Sequence, residues 1–317
     1  MAETVIQVKD LVIEYPSRFG IVQAADVPYL EIRRGEVLGL VGESGCGKST
    51  LGMALLRMVR QPGRIAHGQV LFGGRDLVTL SEQEMRDIRG RSISMIFQDP
   101  MTSLDPLQRI EDHLLEAVRV HNKKATASEI REKVGGLMDR LGIQDRRLRD
   151  YPHQFSGGMR QRIMIGLALV LNAELIIADE PTTSLDVIVE AQILDLIKEL
   201  QESFNLTILL ITHNIGIVAE LADRVAVMYA GRLVELAEAV PFFQEPVHPY
   251  TQDLLASVPN INLSDDKLRI MEGSPPDLIN PPSGCRFHPR CRYATDKCSQ
   301  SVPPYKEVQP GHWVACW

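Results

Sequence analysis

Gly42-Glu43-Ser44-Gly45-Cys46-Gly47-Lys48-Ser49-Thr50 is the stretch that decides the fold, because it fits the phosphate-loop pattern G-x-x-x-x-G-K-[ST]. The apolar residues 36–41 before it predict a buried strand, and residues 51–56 after it predict the start of a helix. Glycines are needed because backbone N–H groups must turn inward around phosphate oxygens, where a Cβ would block the approach. The helix N-terminus adds partial positive charge. This context predicts a site for nucleotide phosphates.

Different side chains of the loop are expected to contact the phosphates and the metal ion. The Lys48 ammonium is expected to reach the β- and γ-phosphates, and the Ser49 hydroxyl is expected to hold Mg²⁺. The predicted nucleotide-binding residues of the loop are Gly42, Ser44, Gly45, Cys46, Gly47, Lys48, Ser49 and Thr50.

Composition excludes several classes of protein. The 317 residues, 44% of them hydrophobic, suffice for one large domain or two modest ones. The net charge of -7 and the lack of a long basic run argue against a nucleic-acid partner. The apolar run at residues 163–171 is far shorter than the ~20 residues that a membrane-spanning helix needs. Residues 1–4 lack the features of a signal peptide, so we expect a soluble, cytoplasmic protein.

Apolar runs alternate with helical patterns, which predicts an α/β fold with a parallel sheet covered on both faces. Short strands are predicted at residues 5–8, 11–15, 30–32, 69–72, 92–97, 175–178, 207–211 and 224–228. Residues 110–148 have a helical pattern, which predicts a helical subdomain inserted into the α/β core. Chemistry in such sheets gathers at the carboxyl ends of the strands. One nucleotide site is therefore expected from Lys48, Gln98, Asp179, Glu180 and His213.

The ordered set of motifs resembles that of the ATPase subunit of an ATP-binding cassette (ABC) transporter, over about residues 5–245. The set comprises the phosphate loop, Gln98, Ser156-Gly157-Gly158, the strand that ends in Asp179-Glu180, Ser184-Leu185-Asp186, and His213. The resemblance implies a RecA-like P-loop ATPase core with an antiparallel β subdomain and an inserted helical subdomain. The nucleotide-binding domain is expected at residues 1–258, with the helical subdomain at about 99–165.

The resemblance also implies a role for each motif residue. Asp179 would hold Mg²⁺ and Glu180 would polarise the attacking water, although the pair could be a solvated acidic turn. His213 would contact the γ-phosphate, and Gln98 would sense both the γ-phosphate and Mg²⁺. Tyr15 is the candidate for stacking on adenine; Phe19 is its rival, and an ordinary strand-end aromatic is the simpler alternative.

The signature residues Ser156, Gly157 and Gly158 imply a dimer, because in the family they bind ATP held by the opposite subunit. The family's usual Leu-Ser-Gly-Gly-Gln is altered here, since Phe155 and Met159 occupy its outer positions. Asp186 is implied as a further residue of the nucleotide site. The second subunit is expected to be a homologous ATPase or a second copy of this chain.

Residues 259–317 change character and predict a small, cysteine-rich C-terminal extension. Its cysteines have the spacing C-x5-C-x6-C-x17-C, which in a reducing compartment suggests a metal before a disulfide. Four thiolates can bind a [4Fe–4S] cluster or Zn²⁺. Paired C-x2-C knuckles are absent from the extension, which favours the cluster, and free thiols remain the third alternative. The candidate ligands are Cys285, Cys291, Cys298 and Cys316.

His248-Pro249-Tyr250-Thr251 and the cysteine-rich extension resemble the oligopeptide and dipeptide importer branch, members of which carry a [4Fe–4S] cluster. This resemblance implies an ATPase that powers peptide import from the cytoplasmic face of the inner membrane. Two permease subunits and an extracytoplasmic substrate-binding protein are the implied partners. The cargo could instead be an oligosaccharide, nickel or glutathione. The other class left open is a soluble ABC ATPase without a transport role.

Overall fold

The computed structural model describes residues 3–183, 185–257 and 271–317. The chain divides into two compact units. Unit 1 combines Met1–Thr79 with Leu210–Trp317, and unit 2 is the continuous segment Leu80–Leu209. Within the described ranges, no helix has the length and apolar character required to cross a membrane.

The described strands and helices follow one another in the order expected of an α/β protein. The strands are β1 (Thr4–Ser17), β2 (Gly20–Arg33), β3 (Val37–Val41), β4 (Arg64–Phe72), β5 (Arg75–Asp76), β6 (Ile93–Ile96), β7 (Leu175–Asp179), β8 (Thr207–Ile211), β9 (Arg224–Tyr229), β10 (Arg232–Glu238), β11 (Lys306–Gln309) and β12 (His312–Val314). The helices are α1 (Lys48–Leu55), α2 (Glu82–Ile88), α3 (Pro100–Ser103), α4 (Ile110–His121), α5 (Ala127–Arg140), α6 (Gly157–Leu169), α7 (Val187–Phe204), α8 (Ile215–Leu221), α9 (Ala239–Gln244), α10 (Pro249–Ala256) and α11 (Asp296–Gln300).

Unit 1 contains a sheet with the strand order β5-β4-β1-β2-β10-β9-β3. Strand β1 pairs in antiparallel fashion with both β2 and β4, whereas β3 and β9 pair in parallel. Every residue of β3 and β9 is buried, as is typical of a strand covered on both faces. The predicted combination of an α/β core with an antiparallel β region is thus confirmed, and it places the phosphate loop directly after a central strand.

The first strand is longer than the sequence indicates. Residues 5–8 and 11–15, predicted as two strands, belong to the single strand β1. The interruption is a local irregularity, because Asp10 has a positive φ of 46° and the pairing with β4 shifts register between Lys9 and Val12. A bulge of this kind breaks the apolar alternation without ending the strand.

The cysteine-rich extension shares the sheet of unit 1. Strand β12 pairs with β10, with Glu235 opposite Val314 and Leu236 opposite Trp313, and β11 pairs with β12. Phe287 of the same segment is buried against Tyr229 and Tyr250. The extension is therefore anchored by strand pairing and by aromatic packing.

Unit 2 contains the parallel strands β6 and β7 and the helices between them. Helices α2 and α5 both begin with a capping box, at Ser81 and Thr126, which stabilises their first turns. The helical pattern at residues 110–148 is interrupted after His121, so that two helices and a 3-10 turn replace one continuous helical region. Their buried faces include Leu114, Ile130 and similar apolar residues.

Candidate functional site

The phosphate loop at residues 42–50 connects β3 to α1 in unit 1, as its pattern predicts. Lys48 is the first residue of α1, and its side chain is buried. Its Nζ donates hydrogen bonds to the carbonyl oxygens of Gly42, at 2.8 Å, and Glu43, at 3.0 Å. Ser49 and Thr50 follow in the first turn of the helix. The ammonium group therefore lies inside the loop, where a phosphate would be bound.

Gly42 shows why this loop needs a glycine at its start. Its φ of 152° is rarely adopted by other residues, and an added Cβ would lie 2.1 Å from the backbone oxygen of Met228. Because that oxygen belongs to the backbone of β9, it cannot move aside as a flexible side chain would. The close contact between loop and sheet therefore depends on the missing side chain.

Cys46 is a buried residue of the phosphate loop. Its Sγ lies 3.8 Å from the Lys48 Nζ. Burial raises the pKa of this thiol above its ordinary value, even though the neighbouring ammonium acts in the opposite direction. The neutral thiol is poorly nucleophilic, which fits a packing role in the loop.

The two aromatic candidates for an adenine contact differ in their surroundings. Tyr15 is half-buried near the end of β1, with its ring close to Gly63: a Cβ added there would lie 2.4 Å from the ring. Phe19 is 71% exposed and has the Arg18 guanidinium 4.7 Å from its ring centre. Both rings are reachable, and the assignment to Tyr15 stays a prediction.

His213 is the second residue after the end of β8 and is exposed. The next residue, Asn214, caps α8 by accepting a hydrogen bond from the Gly216 N–H at 2.9 Å. The N–H of Thr212 donates to the Leu40 carbonyl of β3. These contacts hold the backbone on both sides of the histidine, within unit 1.

In unit 2, two predicted catalytic residues are in contact. Glu180 follows β7 with a positive φ of 47°, a left-handed backbone conformation that is uncommon for a non-glycine residue. Its Oε2 accepts hydrogen bonds from Gln98 Nε2 at 2.8 Å and from Thr183 Oγ1 at 2.9 Å. Asp179, at the end of β7, is buried. Whether these groups form a single site with Lys48 and His213 stays a prediction.

The signature residues begin helix α6 in unit 2. Ser156 and Gly157 are exposed, and the Ser156 side chain caps the helix by accepting from the Met159 N–H at 3.4 Å. Gly158 packs so closely on α7 that an added Cβ would lie 2.4 Å from the Val189 side chain. The Met159 sulfur, in place of the usual glutamine, accepts a hydrogen bond from Arg147 at 3.4 Å.

Asp186 has a local structural role that the motif does not reveal. Its Oδ1 accepts a hydrogen bond from the Val189 N–H at 3.0 Å and caps helix α7. Ser184, in the same predicted loop, lies outside the described residues. The proposed contact of Asp186 with nucleotide stays a prediction.

Four cysteines of the extension line one cavity of about 140 Å³, together with His248 and Phe287. All five cysteines lie in described residues, and all are free thiols. Burial is the main cause that raises the thiol pKa of three of the four above the ordinary value. Among described residues, no three His, Cys, Asp or Glu groups are close enough together to hold a metal ion. The four lining cysteines are Cys285, Cys291, Cys298 and Cys316.

The His248-Pro249-Tyr250 motif connects to the phosphate loop, which the sequence did not indicate. His248 is buried and caps α10 by accepting the Tyr250 N–H at 3.0 Å, with Pro249 at the first helical position. The Tyr250 hydroxyl accepts a hydrogen bond from the Glu43 N–H at 3.0 Å. Burial raises the pKa of this phenol, so it stays protonated. The buried Glu235 carboxylate accepts the N–H of His248 at 2.9 Å.

Arg290 contacts the phosphate loop from the cysteine-rich side. Its guanidinium donates to both carboxylate oxygens of Glu43, at 2.9 and 3.0 Å, and to the Tyr229 hydroxyl at 3.3 Å. Burial acts to lower the pKa of Arg290, but the hydrogen bonds to Glu43 and Tyr229 outweigh it and raise the pKa. Sequence analysis missed this contact, because nothing in the spacing of the two residues pairs them.

Two family models match the chain. Residues 27–183 match the ABC transporter family, and residues 234–298 match the C-terminal region of oligopeptide/dipeptide transporters. The dipeptide transport ATP-binding protein of Bacillus subtilis is 44% identical over 99% of this chain and 95% of its own length. The oligopeptide transport ATP-binding protein of Escherichia coli is also 44% identical, over 100% of this chain and 94% of its own length.

Solved structures of similar cassettes agree with these matches. A dimeric bacterial ABC transporter cassette superposes with a TM-score of 0.65 and 26% identity, over 74% of this chain and 98% of its own. A component of an ABC transporter complex from Clostridium perfringens has a TM-score of 0.64 and 30% identity, over 77% of this chain and 92% of its own. These structures confirm the predicted fold class.

Proposed function

Because the chain belongs to the family of ABC transporter ATP-binding proteins, and its activity is ATP hydrolysis in transport, we propose that it powers the import of short peptides. The C-terminal family match and the names of the relatives support peptides as the cargo. The resulting assembly would pair this ATPase with two membrane permeases and an extracytoplasmic binding protein. The chain would then sit peripherally on the cytoplasmic face of the membrane.

The contact between Gln98 and Glu180 is the observation that supports the proposed mechanism. Two hydrogen bonds hold one carboxylate oxygen of Glu180, while its backbone adopts the uncommon left-handed conformation. A carboxylate fixed in this way is suited to orient a water molecule and to accept its proton during attack on the γ-phosphate. We assign Glu180 as the general base and Gln98 as the group that orients it.

The phosphate-binding part of the mechanism is assigned to the loop. Lys48 would exchange its hydrogen bonds to loop carbonyls for contacts with the β- and γ-phosphates, and the loop N–H groups would bind the remaining oxygens. Ser49 and Asp179 would hold Mg²⁺, which supplies charge neutralisation when bound. Mg²⁺ is usually bound by one or two side chains, phosphates and waters, so a site for this ion does not require three protein ligands.

A dimer of ATPase subunits would complete the site. Ser156 and Gly157 are exposed at the N-terminus of the thirteen-residue helix α6, which offers N–H groups and partial positive charge to an anion. We propose that this end binds ATP held by a second subunit, either a homologous ATPase or another copy. Tyr15 would stack on the adenine, and His213 would contact the γ-phosphate.

The four-cysteine cavity is the proposed site of a [4Fe–4S] cluster. Four thiolates are a complete ligand set for such a cluster or for Zn²⁺, and all four cysteines line one cavity. The proposal rests on this shared lining and on the spacing C-x5-C-x6-C-x17-C, which lacks the paired C-x2-C knuckles usual for zinc. A cluster would link loop-rich segments where little core is available. Zinc is the alternative, and measurement of the iron and zinc content of the purified protein would distinguish the two.

A Glu180→Gln variant tests the catalytic assignment in the assembled transporter. Loss of the general base should lower steady-state ATP hydrolysis about 100-fold or more while ATP binding is retained. Glu199→Gln, at an exposed position on α7, is the matched control and should hydrolyse ATP at the wild-type rate. Hydrolysis by Glu180→Gln near the wild-type rate would show that another group acts as the base.

The peptide assignment needs a separate measurement on the whole complex. Dipeptides and oligopeptides, presented by the cognate binding protein, should stimulate ATP hydrolysis and should accumulate inside reconstituted vesicles. Oligosaccharides, nickel and glutathione are the comparison cargoes. Stimulation by one of these instead of peptides would contradict the proposed cargo but leave the ATPase role intact.

A further inference from the structure

Glu43 is held on three sides. Its N–H donates to the Tyr250 hydroxyl, its carbonyl oxygen accepts from Lys48 Nζ at 3.0 Å, and its carboxylate receives the Arg290 guanidinium. Tyr250 and Arg290 both lie in the region that matches the C-terminal family model, outside the cassette match. The contacts from Tyr250 and Arg290 therefore come from the C-terminal region.

The geometry of the ion pair between Arg290 and Glu43 restricts the motion of both side chains. The pair has two hydrogen bonds in parallel, and the Arg290 side chain is only 6% exposed, against 26% for Glu43. The Arg290 Nε also donates to the Glu272 carbonyl at 3.0 Å. Bidentate pairs of this kind fix geometry as well as charge, and shielding from solvent keeps them strong.

The ion pair also affects the charge that the phosphate loop presents to the nucleotide. Glu43 places a carboxylate in a loop whose role is to bind phosphates, so an unpaired Glu43 would repel the nucleotide. The Arg290 guanidinium neutralises that carboxylate and keeps it turned toward the C-terminal region. Removal of Arg290 would both loosen the loop and expose a negative charge beside the phosphates.

We propose that Arg290 is a positioning residue for the phosphate loop, through which the C-terminal region sets the affinity for ATP. The inference rests on the proposed function, because it concerns the same nucleotide site. Arg290 directly precedes Cys291, so the segment that carries the cysteines also carries this contact. The cysteine-rich extension thereby acts on ATP binding through a side chain of its own.

Binding of a fluorescent ATP analogue to the purified full chain tests the proposal. Arg290→Gln should bind it about tenfold more weakly, whereas Arg292→Gln should stay within about twofold of wild type. Arg292 is the matched control, because it lies on the other side of Cys291 and pairs with Asp253 rather than with the loop. The deficit of Arg290→Gln should shrink at high salt, since the exposed Glu43 charge is screened there.

A double variant separates loss of positioning from charge repulsion. Glu43→Gln combined with Arg290→Gln removes the unpaired carboxylate but does not restore the ion pair, so binding should recover only in part and stay about threefold weaker than in wild type. Binding by Arg290→Gln equal to that of wild type would overturn the inference, and so would equal weakening in Arg290→Gln and Arg292→Gln. A wild-type chain that binds no ATP would overturn the proposed function itself, which distinguishes the two failures.

Tyr250→Phe keeps the proposal testable if Arg290→Gln does not fold. This change removes only the hydroxyl that accepts the Glu43 N–H, so hydrogen exchange at residues 42–46 should be about fivefold faster. ATP binding should weaken by about threefold in the same variant. Unchanged exchange and unchanged binding would show that the C-terminal region does not position the loop.

Discussion

The phosphate loop and the four-cysteine region (residues 285–316) belong to the same unit but are constructed in opposite ways. The loop is a consecutive stretch between β3 and α1, and its sequence pattern is complete within residues 42–50. The four-cysteine region gathers distant residues through a 3-10 turn at His288–Arg290, the short helix α11 and the pairing of β12 with β10. One site is encoded locally, and the other depends on tertiary contacts.

This difference predicts different sensitivities. A locally encoded loop should fail when a single backbone position is altered, while the rest of unit 1 remains folded. A site assembled from distant residues should lose its ligand when one side chain is removed, and it should respond to the stability of its surroundings. The three following changes test this contrast, from the largest expected effect to the smallest.

Gly42→Ala should have the largest effect. The new Cβ would lie 2.1 Å from a backbone oxygen of β9, so the loop must move, and ATP affinity should fall about 100-fold or more. Gly45→Ala is the control, because it too has a positive φ but nothing lies within 4 Å of its added Cβ. Titration of both variants with a fluorescent ATP analogue measures the difference, which the contrast requires to exceed about tenfold. Equal losses would mean that backbone strain alone explains the effect.

Cys298→Ser should affect the other region selectively. Anaerobically purified wild-type protein is expected to contain about four irons per chain, and this variant should lose most of them. ATP affinity should change less than about threefold, because Cys298 makes no contact with the loop among the described hydrogen bonds. Cys46→Ser is the matched control, since it removes the one cysteine of the loop and should keep the iron. One zinc without iron, or no metal, would contradict the cluster proposal.

The smallest expected effect concerns pH and His248, which caps α10 and lines the cysteine cavity. Burial lowers its pKa from the ordinary 6.5 to about 4, so between these values the unfolded chain binds more protons than the folded one. Its contribution is therefore complete above about pH 6.5 and is lost as pH falls toward 4, by up to roughly 3 kcal/mol.

His248→Asn should flatten that dependence, because asparagine can cap a helix but does not titrate. Urea unfolding at pH 7 and pH 5, followed by tryptophan fluorescence, measures the change. Both tryptophans, Trp313 and Trp317, lie at the C-terminal end, so the signal reports on this region. An undiminished pH dependence in the variant would assign the effect to other groups.

The parts of the molecule that the sequence predicted are those with a local signal. The phosphate loop is recognisable from its own residues and from the strand and helix beside it. The contact between Gln98 and Glu180 is long-range, but each residue follows a buried strand, and parallel strands end at one edge of a sheet. The capping boxes at Ser81 and Thr126 are likewise local patterns.

The features that the sequence did not predict depend on tertiary contacts, which no local sequence pattern indicates. Glu43 and Arg290 are separated by 247 positions, and neither lies in a periodic segment that would orient it. The pairing of β12 with β10 joins a three-residue strand to the sheet. A strand of that length is too short to show the alternation of apolar and polar residues by which a strand is predicted. Asp186 was assigned by resemblance to a nucleotide contact, whereas its visible hydrogen bond caps α7.

The discontinuity of unit 1 has a consequence for synthesis of the protein. Strands β1 to β4 leave the ribosome before any part of unit 2, while β9, β10 and β12 leave after it. Unit 2 is continuous, so its residues are all available while unit 1 still lacks β10, the partner of β2. Until β10 is synthesised, apolar side chains of the newly made β1 and β2 that are buried in the folded protein therefore remain exposed to solvent. We therefore expect chaperones to bind the nascent chain mainly during that interval.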